Sequence, residues 1–311
     1  MGRHITAILL SVIIMFSGLS HAQTFNPKCR YTSFGASVKG TYFHGDVLTD
    51  LRYVRPGLGL HINRRISPRF SFTSELACMR IMGNDFSSSN LFTPAKVKTY
   101  VRNLHFRNDI KQVSVILKYD IFPNTDHYRK RPVYNMYGFA GLCGFYHNPK
   151  ARDDKGKWTS LRPLHTEGVR YSPYQIAIPL GVGVRYKLSL QWDLEVDITY
   201  MFTFTDYLDD VSKTYPDPSS LDSDKARMFS NRTADSTDAL SGSARDLGYI
   251  QSDLNGPVVN GAGNYKYVQG YGPGTQRGSL KGFDSYAYLS IRFSYAIPGF
   301  VNCPNFREIR K

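Results

Sequence analysis

The sequence predicts an all-β protein, an eight-stranded antiparallel transmembrane outer-membrane β-barrel with long extracellular loops. The clearest observation is residues 190–205, where even positions are apolar or aromatic and odd positions, except Met201, are polar. Strict alternation marks a strand with one apolar and one polar face. About ten such residues, with aromatic side chains near the ends, are what a membrane-spanning strand requires.

The N-terminus is the second observation, because it predicts export. Residues 1–22 combine a basic Arg3, an apolar run over 5–16 and Ser20-His21-Ala22 before Gln23, the pattern of a cleaved signal peptide. The mature barrel domain is then 23–311, and we find no later apolar run long enough for a transmembrane helix. The net charge is +14, but an exported chain is not expected to bind nucleic acid.

Alternation predicts eight strands in chain order. They are 31–43, 53–63, 69–81, 109–121, 133–147, 174–187, 190–205 and 283–297. Long connections follow the odd-numbered strands, and short ones (64–68, 122–132 and 187–190) follow the even-numbered strands. Long outer loops and short periplasmic turns are the outer-membrane pattern, which predicts an outer-membrane location with both termini in the periplasm. A soluble eight-stranded barrel is the alternative, but its outward faces would be polar.

The faces of these strands predict a filled, charge-balanced lumen. An eight-stranded barrel has room for little beyond its own side chains, and buried charges must be paired. The fifth strand is apolar on both faces, so its orientation stays open. The expected inward-facing charges are Lys39, Arg55, Lys118, Arg185 and Arg292 against Glu75, Asp120, Asp193, Glu195 and Asp197.

No residue pattern points to catalysis, a metal or a cofactor. Asp206, Asp209 and Asp210 lack the ligand spacing of a calcium loop, and we expect them to cap the start of a loop. His147 and His165 flank Ser160, but no nucleophile elbow surrounds that serine, so packing within the loop is favoured. We therefore expect a non-enzymatic protein.

The four cysteines fall into two groups. Cys78 and Cys143 lie in non-neighbouring strands, and Cys78 shares the apolar face that meets lipid. Cys29 precedes the first strand and Cys303 follows the last, so closure of the barrel brings them to one rim in an oxidising compartment. We predict a Cys29–Cys303 disulfide or a bridge from one of them to a partner, with free thiols as the alternative.

The predicted periplasmic rim is strongly basic, and a patch of one sign can steer an acidic partner. A solvated rim and a docking surface are equally good interpretations. The tail 298–311 extends past the last strand and could also bind a partner. The residues assigned to docking are Arg64, Arg65, Arg129, Lys130, Arg131, Arg307 and Arg310.

The loop over 206–282 is rich in Ser, Asp, Gly and Asn. We expect its early part, 217–256, to be mobile, and 264–274 to pack on the barrel mouth. A loop this long is normally functional or disordered.

Four sequence blocks resemble PorG-type outer-membrane proteins of the type IX secretion system of Bacteroidota. They are FYHNP (145–149), WTSLRPLHTEG (158–168), IPLGVGVRYKL (178–188) and TDYLDDVSKTYPD (205–217). The resemblance implies an eight-stranded barrel, embedded in outer-membrane lipid, that associates with a periplasmic ring of PorK-type lipoprotein and PorN-type subunits. It implies no catalysis. The alternatives are an OmpA-like structural or adhesive barrel that binds external ligands through its loops, and a lipid-modifying enzyme.

Overall fold

The protein folds as a closed barrel of eight antiparallel strands, which confirms the predicted fold class. The computed structural model describes residues 30–88, 94–125, 128–252, 257–261, 265–279 and 282–297. The strands of this part are β1 (Thr32–His44), β2 (Arg55–Arg65), β3 (Phe70–Asn84), β4 (His105–Asp120), β5 (Tyr134–Tyr146), β6 (Pro149–Arg152), β7 (Trp158–Ser160), β8 (Tyr174–Lys187), β9 (Trp192–Thr203), β10 (Val258–Asn260), β11 (Lys266–Val268) and β12 (Ser285–Ala296).

The barrel wall follows the chain order β1–β2–β3–β4–β5–β8–β9–β12, and β12 pairs with β1 to close the ring. The short strands β6 and β7 extend the sheet beyond the start of β4, and β10 pairs with β11 alone. Every pairing in the wall is antiparallel, so the connections emerge alternately at two ends. We call the end with the connections 45–54, 85–104, 147–173 and 204–284 the loop end, and the opposite end the turn end.

Short helices lie in the connections of the described chain. They are α1 (Asp85–Ser88), α2 (Pro94–Arg102), α3 (Asp224–Ser230) and α4 (Leu247–Ser252), with single 3-10 turns at Leu51–Tyr53, Tyr128–Lys130, Arg162–Leu164 and Pro218–Ser220. Within the described residues, no helix has both the length and the apolar character needed to span a bilayer.

The outer face of the barrel is an apolar band. On β2, Leu58, Leu60 and Ile62 point outwards and are more than half exposed, whereas His61 between them is buried. Aromatic pairs border the band at both ends, such as Trp192–Tyr295 (5.2 Å between ring centroids) at the turn end. So much exposed apolar surface would be unfavourable in water. A lipid-facing apolar band between aromatic girdles is typical of a transmembrane barrel.

The inner face is filled in two layers. The half nearer the loop end is apolar and aromatic, with Phe43, Phe106, Phe145 and Tyr286 among its buried members. The half nearer the turn end holds buried charged side chains. Glycines make room for them: a Cβ on Gly59 would lie 2.6 Å from both Glu75 Oε1 and Ser37 Oγ.

The orientation of strand β5, which its sequence left open, is clear in the structure. Tyr137, Phe139, Cys143 and Phe145 are buried in the lumen, while Leu142 is exposed on the outer face. Cys78 is exposed on the outer surface, as expected, and Cys78 and Cys143 are unpaired.

The long loop has a defined fold over residues 217–252, where we expected a mobile segment. Its Ser and Asp side chains cap turns: Asp217 accepts from Ser219 N at 2.8 Å, and Ser223 accepts from Ala226 N at 3.1 Å. Polarity in this loop therefore reflects local hydrogen bonding rather than solvation of an unfolded segment.

Candidate functional site

The lumen near the turn end contains two groups of ion pairs, and the Tyr137 hydroxyl, 3.4 Å from Asp197, connects the first group to the second. Arg292 lies at the centre of the first group, with Nη1 2.9 Å from Glu75 Oε2 and Nε 2.7 Å from Asp197 Oδ2. Lys39 Nζ approaches the second oxygen of Glu75 at 2.6 Å. All four side chains are inaccessible to solvent or nearly so.

The second group lies nearer the turn end. Tyr137 donates from its hydroxyl to Glu195 at 3.1 Å, and Glu195 also pairs with Lys118 and Arg185, each at 2.7 Å. Arg185 then reaches Asp120 at 2.9 Å. Because each of these carboxylates pairs with at least one cation, the burial of charge is compensated within the lumen. The predicted plug of paired charges is therefore present in the structure.

Three arginines differ from the sequence prediction for the lumen and rim. Arg65, expected on the docking rim, is buried and pairs with Asp120, because β2 continues two residues beyond the predicted end and the alternation turns Arg65 inwards. Arg55, expected in the lumen, is the first residue of β2, and its Nη1 donates to the carbonyl oxygen of Arg52 at the loop end.

Arg131 is the third, and it closes the turn end instead of lining a docking rim. Its guanidinium lies 2.7 Å from Asp193 and donates to the carbonyl oxygens of Tyr128 (2.6 Å) and Leu190 (2.7 Å). Tyr128 is itself buried against Tyr31, with ring centroids 6.3 Å apart. The turn between β4 and β5 thus folds across the barrel opening.

The exposed basic side chains left at the turn end form what we call the basic face. It contains Arg64, Arg129 and Lys130 from the predicted docking set, all exposed. Among described turn-end residues, the only carboxylates are Asp120 and Asp193, and both are buried. Cys29, Cys303, Arg307 and Arg310 lie outside the described residues, as do the signal segment and the tail 298–311.

At the loop end, two buried arginines join the four loops into what we call the cap. Arg102 pairs with Asp85 at 2.7 Å and donates to the carbonyl oxygen of Arg277 at 2.8 Å. Arg277 pairs with Glu167 at 2.8 Å and donates to the carbonyl oxygen of Asp210 at 2.7 Å. Arginine suits this role because its five donors can satisfy several acceptors at once. No pattern in the sequence indicated these contacts, since both arginines lie outside the alternating strands.

The cap also buries Asp209 and Asp210, two of the three aspartates that we considered as a calcium site, together with Asp284. Asp209 accepts from Val47 N at 2.8 Å and from Val211 N at 3.0 Å, and Asp284 accepts from Leu208 N at 2.8 Å. They act as turn and loop caps. No group of three His, Cys, Asp or Glu side chains within the described chain has the arrangement of a metal site.

Burial changes the titration of these capping acids. Desolvation, followed by the nearby Asp46 carboxylate, raises the pKa of Asp209 well above its ordinary value. Desolvation, with Asp209 and Asp206 next, likewise raises the pKa of Asp284. Desolvation also raises the pKa of Asp206 to about 6. The cap therefore favours the protonated form of several carboxyls.

The histidine and serine of the third loop are packed and do not form a catalytic pair. His147 stacks on Tyr171 (5.9 Å), which stacks on Tyr207 (4.7 Å), and burial lowers the pKa of His147 to about 4. Ser160 Oγ accepts instead from Asn148 Nδ2 at 3.1 Å. His165 has a positive φ of 48° at the end of a 3-10 turn.

Neutralising one carboxylate of the lumen network is expected to lower the free energy of unfolding strongly. Glu75→Gln leaves Lys39 and Arg292 partly uncompensated, so the free energy of unfolding should fall by about 3–5 kcal/mol. Urea titration of the protein folded in lipid vesicles measures it. Asp109→Asn is the matched control, because its pair with Arg80 is over one-third exposed and is expected to contribute less than about 1 kcal/mol. Equal losses in the two variants would contradict the proposed role of the network.

The cap acids predict a pH dependence of local stability. Their pKa values are raised in the folded state, so the stability they contribute is present below the unfolded pKa of about 3.9 and is lost as pH rises through about 6 and above. Hydrogen exchange at the amides of Val47 and Leu208, corrected for the intrinsic rate, should show protection falling from pH 4 to pH 8.

Asp284→Asn tests the cause of that pH dependence. It keeps an oxygen to accept from Leu208 N and removes one charge from the acidic group. Protection at high pH should rise and the pH dependence should weaken. A wild-type protein whose protection is constant or increases over this range would show that the acids do not control the cap.

Comparison with known proteins gives a family and a set of distant structural likenesses. No curated protein matches the sequence. The similar solved structures include OprG of Pseudomonas aeruginosa (9% identity, TM-score 0.39, 88% of this chain and 98% of that chain) and Ail of Yersinia pestis (9%, 0.34, 86% and 97%). A major outer membrane protein of Thermus thermophilus is 13% identical, with a TM-score of 0.35 over 86% and 99%.

These likenesses are distant, and the assignment of the fold depends on the strand pairing of this chain itself. The sequence comparison is more informative, because one family model covers most of the chain, residues 8–235. The chain therefore belongs to the family described as a domain of unknown function, DUF6089.

Proposed function

We propose that this protein is a non-enzymatic outer-membrane component of the type IX secretion system that associates with a PorK/PorN-type periplasmic ring and anchors it. The observation that carries the proposal is the basic face, where Arg64, Arg129 and Lys130 are exposed while the described turn-end carboxylates are buried. A predominantly basic surface attracts an acidic partner and speeds its association. The sequence blocks that resemble PorG-type proteins identify the expected partner.

The lengths of the connections support the orientation that the proposal requires. Outer-membrane barrels have short turns in the periplasm and long loops outside. We therefore place the turn end, with both ends of the barrel wall, in the periplasm. The basic face then meets periplasmic partners, and the cap faces the exterior.

The filled lumen favours anchoring over conduction. Arg65, Arg292, Lys39 and Lys118 are among the largest fully buried side chains, and they lie across the turn-end half of the barrel. An exported protein could not pass without breaking this network. The protein would thus support export at the membrane while cargo crosses elsewhere.

A covalent link could reinforce the association. Cys29 and Cys303 flank the barrel wall in sequence, and the proposed orientation gives that side an oxidising compartment. They would either pair with each other or supply one thiol to a bridge with the ring lipoprotein.

The loops favour a second candidate, an OmpA-like structural or adhesive barrel. The cap is folded, and a pocket of about 440 Å³ opens on it between α2 and residues 270–279, lined by Lys98, Arg102 and Tyr271 among others. A preformed polar pocket is suited to an external ligand.

The docking proposal predicts that the charge of the basic face controls recovery of the ring. Arg64→Glu, Arg129→Glu and Lys130→Glu combined should lower co-purification of the PorK-type lipoprotein from native membranes in mild detergent by about tenfold. The control reverses Lys155 and Lys157, which are equally exposed at the loop end. Both variants should retain heat-modifiable migration, the test of an assembled barrel.

Gels run with and without reductant show whether a cysteine contributes to the complex. Unchanged recovery after reversal of the basic face would reject it as the docking surface. Absence of ring subunits from the wild-type purification would reject the secretion role and favour the candidate based on the loops.

A further inference from the structure

The lipid-facing surface of the barrel contains a groove that the proposed function does not use. It occupies about 680 Å³ on the outer side of β4, β5, β8 and β9. That volume is within the range of small-molecule sites, roughly 300–1,000 Å³.

Two small residues on β5 create the groove. Gly138 pairs with Tyr119 on β4 and Val182 on β8, and Ala140 pairs with Leu117 and Leu180 on the same strands. The flanking side chains are all at least 40% exposed and stand on either side of a strip that has almost no side chain. A Cβ built on Gly138 would meet no atom within 4 Å, so the space above it is open to the bilayer.

A cation lies at the turn end of this groove. Arg69 directly precedes Phe70, which lines the groove, and its Nη1 donates to Tyr119 Oη at 3.0 Å and to the carbonyl oxygen of Ile121 at 2.9 Å. Its guanidinium lies 5.8 Å from the centroid of the Tyr119 ring. The Arg69 side chain is exposed, and the tyrosine hydroxyl that it contacts keeps a hydrogen to donate.

We propose that the groove binds one anionic phospholipid, with its phosphate at Arg69 and Tyr119 and one acyl chain along Gly138 and Ala140. The positive charge of Arg69 favours an anionic headgroup, because arginine binds phosphate through charge-assisted hydrogen bonds. The apolar walls favour a hydrocarbon chain. A phospholipid in the bilayer already has its acyl chains parallel to the barrel wall. The aromatic Tyr119 and Phe70 lie where the headgroup region begins.

Native mass spectrometry of the full chain, released from detergent after addition of phosphatidylglycerol or phosphatidylcholine, tests the proposal. The protein should retain phosphatidylglycerol about tenfold more tightly than phosphatidylcholine. Gly138→Leu fills the groove and should lower phosphatidylglycerol affinity by at least about tenfold. Arg69→Gln should remove the preference between the two lipids.

Gly144→Leu is the matched control. Gly144 also faces outwards on β5 with no atom within 4 Å of a built Cβ, but it does not line the groove. This variant should bind both lipids like the wild-type protein, and all variants should show heat-modifiable migration. Equal retention of the two lipids by the wild-type protein, unchanged binding by Gly138→Leu, or equal losses in Gly138→Leu and Gly144→Leu would each overturn the proposal.

Discussion

The arrangement of this barrel depends on the pairing of Arg292 with Glu75 and Asp197 in the middle of the lumen. A ring of eight strands encloses too little space for water and charged side chains to coexist freely. Once carboxylates and cations occupy the inner face, each must find a partner inside. The glycines of the inner face, such as Gly59, supply the space that the long charged side chains need. Closure of the lumen follows from that pairing.

A closed lumen divides the molecule into surfaces that can act independently. The outer band meets lipid, the basic face lies at the turn end, and the cap covers the loop end. Each end has its own closure: Arg131 ties the turn between β4 and β5 to Asp193, and Arg102 and Arg277 hold the loops together. We therefore expect such a molecule to act at its surfaces, by binding partners and lipids. Transport through the barrel is not required.

Sequence alternation predicted the strand number and most inward-facing charges, because the side-chain period of a strand is two and one face must meet lipid. It failed where position depends on tertiary contacts. Arg65 was misplaced because the end of β2 is set by pairing with β1 and β3, and Arg131 because a turn has no period. The contact between Arg102 and Arg277 was not predicted, because these residues are 175 positions apart in the sequence. The composition of the long loop indicated mobility, yet its polar side chains are hydrogen-bonded within the cap.

The most direct test of this account is single-channel recording of the purified protein in planar lipid bilayers. The barrel should insert and show no steady conductance, because paired charges fill one half of the lumen and aromatic side chains fill the other. A stable ohmic current in the wild-type protein would show that the lumen opens under membrane conditions. That result would contradict the closed barrel and, with it, the inference that this protein anchors partners rather than conducting solutes.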